Sequence, residues 1–117
     1  MLSERIALRP PLRPRRTAAV RLREALIELA QGQARILGHS EKSWASATFA
    51  GTRHRLVLEF AGAAAIEAGE LFIAVLPEHE FELAGLLVAD ATVTEVDHRL
   101  QPLLMRVVCE LLLLEDG

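Results

Sequence analysis

After Gly38 the spacing of apolar residues changes from the three-and-four rhythm of a helix to the every-second-residue rhythm of a strand, and most of the remaining chain keeps it. Successive side chains of a strand point to opposite faces, so long alternating stretches commit the chain to a sheet with one apolar face. That face needs cover, and the helical stretch before Gly38 supplies it. An α+β fold follows, with an N-terminal helix laid on an antiparallel sheet.

The helical segment begins after three prolines. Pro10, Pro11 and Pro14 each fix φ and push the preceding residue out of the α region, so residues 8–14 are expected to be extended. Thr17 suits an N-cap, and Leu22, Leu26, Leu29 and Ile36 recur at helical spacing, which predicts a helix over Ala18–Leu37 with Gly38 as its stop. Gly32 inside it costs about 1 kcal/mol relative to alanine and marks a point where the helix can break.

Lys42–Ala50 and Arg53–Phe60 then alternate around Gly51-Thr52, which reads as a two-residue hairpin turn. Such a turn places Phe49 opposite His54, Ala47 opposite Leu56 and Trp44 opposite Glu59. Between Gly62 and Gly69 the run Ala63–Ala68 is alanine-rich and predicts about two turns of helix. Leu71–Leu76, ended by Pro77, reads as a buried strand, and Leu86–His98 as a long one rich in Val, Thr and Ala. Leu103–Glu115 fits either state, since Arg106 and Glu110 stand four apart while Leu103, Met105, Val107, Cys109, Leu111 and Leu113 are apolar at every second place. Pairing favours a strand: a loop over Arg99–Pro102 sets Glu95 against Arg106 and Val93 against Val108, and puts Asp90 opposite Leu111 on the apolar face. The expected order is helix, hairpin, short helix, strand, long hairpin, with about five strands and the helices on one face. Residues 17–117 form this single domain, and residues 1–16 stand outside it as an arm.

Charge divides the chain a few residues further on, inside the first helix. Residues 1–23 hold seven arginines against Glu4 alone, whereas residues 24–117 hold six cations against fifteen acids, so a net charge of −3 conceals a basic arm on an acidic body. A tail of this kind seeks an acidic surface. Arg9, Arg13, Arg15 and Arg16 are the residues expected to bind a partner through it, an acidic protein surface being the partner that fits. Nucleic acid fits the arm but not the body, which would repel a polyanion and has no tyrosine or clustered phenylalanine on which bases stack.

The remaining signals are mostly exclusions. The single cysteine, Cys109, has no partner for an intramolecular disulfide and suits a reducing cytoplasm. Leu103–Leu114 is interrupted by Arg106 and Glu110 and falls short of the roughly 20 residues that a membrane helix needs. There is no GxSxG, no phosphate-binding glycine loop, no HExxH and no CxxC, so neither a metal nor another cofactor is expected. The sequence leaves two functional classes. One is a non-catalytic cytoplasmic domain that self-associates through a sheet face or edge and the basic arm. The other is an enzyme or small-molecule binder whose pocket lies between helix and sheet and works through Asp90, His79 and His98, a carboxylate and two imidazoles suited to proton transfer.

Overall fold

A computed structural model describes residues 17–115. Helix α1 (Ala18–Leu29) leads into strands β1 (Ala34–Ala45) and β2 (Ala50–Ala61), then helix α2 (Ala63–Val75) with a 3-10 turn at Leu76–Glu78, and finally strands β3 (Leu86–Leu100) and β4 (Leu103–Glu115). The four strands make one antiparallel sheet in the order β1-β2-β4-β3, so β4, the last element of the chain, lies inside the sheet and β1 and β3 form its edges. The α+β class and the helix order agree with the sequence reading; the strand count is four, not five.

Both helices cover the same face. Leu22 and Leu26 of α1 and Ala65, Ile66 and Phe72 of α2 share one core with Leu56, Leu58 and Phe60 of β2 and with Met105, Val107, Cys109, Leu111 and Leu113 of β4. The alternation in β2 and β4 thus places the residues it selected on the buried face. On the opposite face no helix lies, yet Val108, Leu112 and Leu114 are also buried. Their cross-strand neighbours on β2 include Val57 and Arg53, and the aliphatic stem of an arginine can shelter a neighbouring leucine while its charge stays in water.

Four local expectations are corrected. First, α1 ends at Leu29 rather than Leu37, because Gln31 (φ 59) and Gly32 (φ 71) take the left-handed conformation in succession; Ala34 and Ile36 then belong to β1, their spacing of two fitting a strand. Thr17 does cap this helix, its Oγ1 accepting the Val20 amide at 3.1 Å. Second, Gly51-Thr52 is not a turn. The hairpin turns at Ser46–Phe49, where the Ser46 hydroxyl accepts the Phe49 amide at 3.1 Å, so Ala45 pairs with Ala50, Trp44 with Gly51 and Glu41 with His54. Gly51 is there for closeness instead: a Cβ would run into the backbone carbonyl of Leu113 on β4.

Third, Leu71–Leu76 is not a strand but the second half of α2 and its 3-10 extension. Ile66, Gly69, Phe72 and Leu76 recur at helical spacing and are buried, and Gly69 continues the helix because a Cβ there would collide with Phe60 and Met105. Fourth, the last hairpin closes on Gln101-Pro102, which pairs Leu100 with Leu103, Asp97 with Arg106 and Glu95 with Val108. Bulges at Val88/Asp90 and Val93/Glu95 then shift the register, and Asp90 meets Leu112 on the helix-free face, where it is exposed, instead of Leu111 in the core. Among the described residues no helix is long and apolar enough to cross a membrane.

Candidate functional site

The corrected register of β1 and β2 creates the densest chemical cluster of the described residues. Glu41 sits directly across from His54, and His39, two residues earlier on β1, lies on the same face. His39 Nε2 is 2.8 Å from His54 Nδ1, and Arg23, reaching down from α1, places Nη1 2.9 Å from His39 Nδ1. A guanidinium can only donate, so His39 Nδ1 must accept; its proton is then on Nε2 and is donated to His54 Nδ1, which leaves the His54 proton on Nε2. That last nitrogen is buried and unpartnered, in a side chain only 1% exposed.

This directional chain needs both imidazoles neutral. Burial above all, then the neighbouring His54 and Arg23, hold His39 below the ordinary histidine value against the opposing pull of Glu41, and burial lowers His54 likewise. One donor atom from each of His39, Glu41 and His54 falls within 4.8 Å of the others, a two-histidine, one-carboxylate set in outline. Arg23 works against a cation there. It keeps a fixed positive charge at the His39 ring and locks the proton onto the nitrogen that faces His54. The cluster is therefore a structural latch tying α1 to the β1 edge. A turn at Gly51-Thr52 sets His54 against Phe49 and hides this pair; with the turn at Ser46–Phe49, His39 and His54 fall on one face by strand spacing.

The residues singled out from the sequence lie elsewhere. Asp90 and His98 are both exposed on β3, eight positions apart, which is about 26 Å along a strand. Asp90 accepts a 3.5 Å hydrogen bond from Thr92, and His98 stands across from Met105. His79 follows the 3-10 turn, packs edge-on against Phe81 with ring centres 4.6 Å apart, and lines a groove of about 430 Å³ against α1 together with Glu28, Glu80 and Glu82. Neither Asp90 nor His98 lines that groove. Arg9, Arg13, Arg15 and Arg16 lie outside the described residues. Cys109 is fully buried and burial pushes its thiol up to about 12, which makes it inert at neutral pH.

Two surface features remain. The far end of the β3–β4 hairpin exposes large apolar side chains on the face the helices cover elsewhere: Leu100 is 76% exposed, Val96 47% and Leu103 38%. At the opposite side of the sheet a groove of about 700 Å³ runs between α1 and the start of β1, with Ile27, Ala34 and Ile36 among its apolar lining and Arg23, Arg35 and Glu28 among its charged lining. Charge follows the same axis. β1 and β2 carry Arg35, Lys42, Arg53 and Arg55 against Glu41 and Glu59, whereas β3 carries Asp90, Glu95 and Asp97 against Arg99.

No protein-family model matches the chain, and no curated protein does. Among solved structures, one chain of the "Virion of native gene transfer agent (GTA) particle" is similar in fold, with a TM-score of 0.52 and 15% identity over 83% of this chain and 90% of that one.

Proposed function

Starting from a fold shared with a chain of a virion particle, we propose that this protein is a small non-catalytic structural subunit that self-associates within a larger assembly, formed in the cytoplasm. The observation that carries this reading is the unsatisfied β3 side of the sheet. β3 is a 15-residue edge strand with unpaired backbone groups along its outer side, and it adjoins the exposed apolar end formed by Val96, Leu100 and Leu103. A monomeric protein has reason to cover both features, since a long free edge and an apolar patch each invite association. The two bulges and the three acids of β3 restrict that association to a complementary, basic partner.

The arm supplies a second contact in the same assembly. Arg9, Arg13, Arg15 and Arg16 would neutralise acids such as Asp90, Glu95 and Asp97 on a neighbouring subunit, which accounts for a basic tail attached to an acidic body. The pocket reading, with Asp90, His79 and His98 acting together, finds less support, because neither Asp90 nor His98 lines the groove that His79 borders.

Native mass by multi-angle light scattering tests the assembly role, on the full chain and on a chain lacking residues 1–16. The full chain is expected at a multiple of 12.9 kDa and to dissociate as salt is raised, with the shortened chain already weaker at low salt and less sensitive to added salt. A single-chain mass for both proteins across the accessible concentration range overturns the reading.

A further inference from the structure

We infer that two copies of the chain pack face to face through the helix-free side of the sheet, related by a two-fold axis that lies in the interface and runs along the strands. This rests on the assembly role proposed above and names its surface and its partner, a second copy. The register sorts the helix-free face into cross-strand rows running β1, β2, β4, β3. One row is Lys42, Arg53, Leu112 and Asp90; the next, at the middle of the strands, is Ser40, Arg55, Glu110 and Thr92. Each carries its cations on β1 and β2 and its acid on β4 or β3. An axis along the strands lays every row back to front over the same row of the second copy. Lys42 then faces Asp90 of the second copy, Arg55 faces Glu110 of the second copy, and each contact is made twice. Turned instead about an axis across the strands, the copies would set β1 over β1 and β3 over β3, cation over cation and acid over acid. Charges at the contact itself therefore select both the partner and its orientation.

Features of the single chain agree with this contact. Lys42 stands directly across from Arg53, and Arg55 follows on the same face, yet none of these cations has an ion pair among the described residues. Like charges directly opposite destabilise a sheet, and acids of a second copy relieve them. On β3, Asp90 and Glu95 are five residues apart and would point to opposite faces of a regular strand; the bulge between Val93 and Glu95 brings both to the helix-free face. Beyond the Lys42 row, Trp44, Leu114 and Leu87 share an apolar row in which Trp44 covers Leu87 of the second copy, a side chain 58% exposed in the single chain. Toward the other end, Arg35, Glu59, Arg106 and Asp97 are already paired within each chain through Glu59 and Arg99, and laid back to front they again meet opposite charges. Four strands of about 12 residues cover roughly 40 Å by 19 Å, or about 800 Å² per copy, which is what each side of a stable interface buries.

Complementation between two charge-reversed full-length chains tests this. Lys42 and Asp90 are both exposed and stand three strand spacings apart within one chain, about 14 Å, so reversing either leaves the fold of the single chain intact. Lys42→Glu and Asp90→Lys each put two like-charge pairs into the contact, and each is expected to raise the dissociation constant by about tenfold or more. Mixed in equal amounts they are expected to recover a species of two chains, one of each kind. The acid introduced at position 42 then faces the lysine introduced at position 90, and the unaltered Asp90 and Lys42 face each other. Circular dichroism matching the unaltered protein establishes that each variant is folded. Trp44, the chain's single tryptophan, gives a reading that needs no variant: its emission is expected to move to shorter wavelength as rising concentration carries the unaltered chain into the pair. If the unaltered protein assembles and either variant assembles equally well, or the mixture gains no mass over the separate variants, or Trp44 emission stays constant, the face-to-face contact is wrong and the assembly role stands. If the unaltered protein is a single chain at every concentration, the assembly role falls, and the contact with it.

Discussion

His54 is held in the core by a hydrogen bond on one nitrogen and nothing on the other, a state that neutral histidine tolerates and charged histidine does not. Folding lowers the proton affinity of both His39 and His54, so the unfolded chain binds more protons than the folded one in the range just below the ordinary histidine value of about 6.5. The stability they contribute is present above about pH 6.5 and is lost as the pH falls toward their folded values. Chemical denaturation followed from pH 7.5 down to pH 5 is expected to show a falling midpoint, and His54→Phe is expected to flatten that fall. Arg23 contributes to the lowering of His39, so Arg23→Gln is expected to move the His39 titration upward, read by NMR from its ring protons. Glycine governs two other contacts at this scale. Gly69→Ala would drive a methyl into Phe60 and Met105, and Gly51→Ala would drive one into the Leu113 backbone, so each is expected to cost about 1–3 kcal/mol by denaturant titration. Both glycines were visible in the sequence. Their purpose was not, because the atoms they avoid belong to other elements of the sheet.

Among the elements, α1 shows how local signals and long-range packing divide the work. Its start was legible: Thr17 accepts the Val20 amide, and Thr17→Ala is expected to lower stability by about 1 kcal/mol, measurable as a drop in thermal midpoint. Its end was not, since Leu26, Leu29 and Ile36 satisfy a helical spacing that the left-handed Gln31-Gly32 pair interrupts. The segment Leu71–Leu76 illustrates the same ambiguity in reverse. Six apolar residues before a proline fit a buried strand as well as a helical turn, and the outcome depended on whether Phe72 and Leu76 could join Ile66 and Gly69 on a stripe facing the β2–β4 surface. β4 went the way its alternation indicated because both of its edges are paired with strands, and the side chains of those neighbours also shelter Val108, Leu112 and Leu114 with no helix above them.

Across the whole molecule, charge runs from a basic β1–β2 side to an acidic β3 side, and the apolar hairpin end and apolar groove sit at opposite edges of that gradient. An interface guided by such a gradient associates faster at low ionic strength. Raising salt from about 50 mM to about 500 mM shortens the screening length to a few ångströms and is expected to slow association of the full chain measured by stopped-flow light scattering.

The sequence by itself determined which side of β2 and of β4 is apolar, where the first helix starts, that the chain is α+β, and that no GxSxG, HExxH or CxxC spacing is present. These follow from backbone properties of neighbouring residues: alternation in a strand, a hydroxyl at an N-cap, the presence or absence of a short motif. Only the tertiary structure decided the turn at Ser46–Phe49, the helical state of Leu71–Leu76, the bulged register of β3, and the meeting of Arg23, His39 and His54. Each of these depends on atoms brought together from distant parts of the chain, and a shift of register moves every side chain of a strand to a new neighbour without changing a single residue of the pattern that specified the strand.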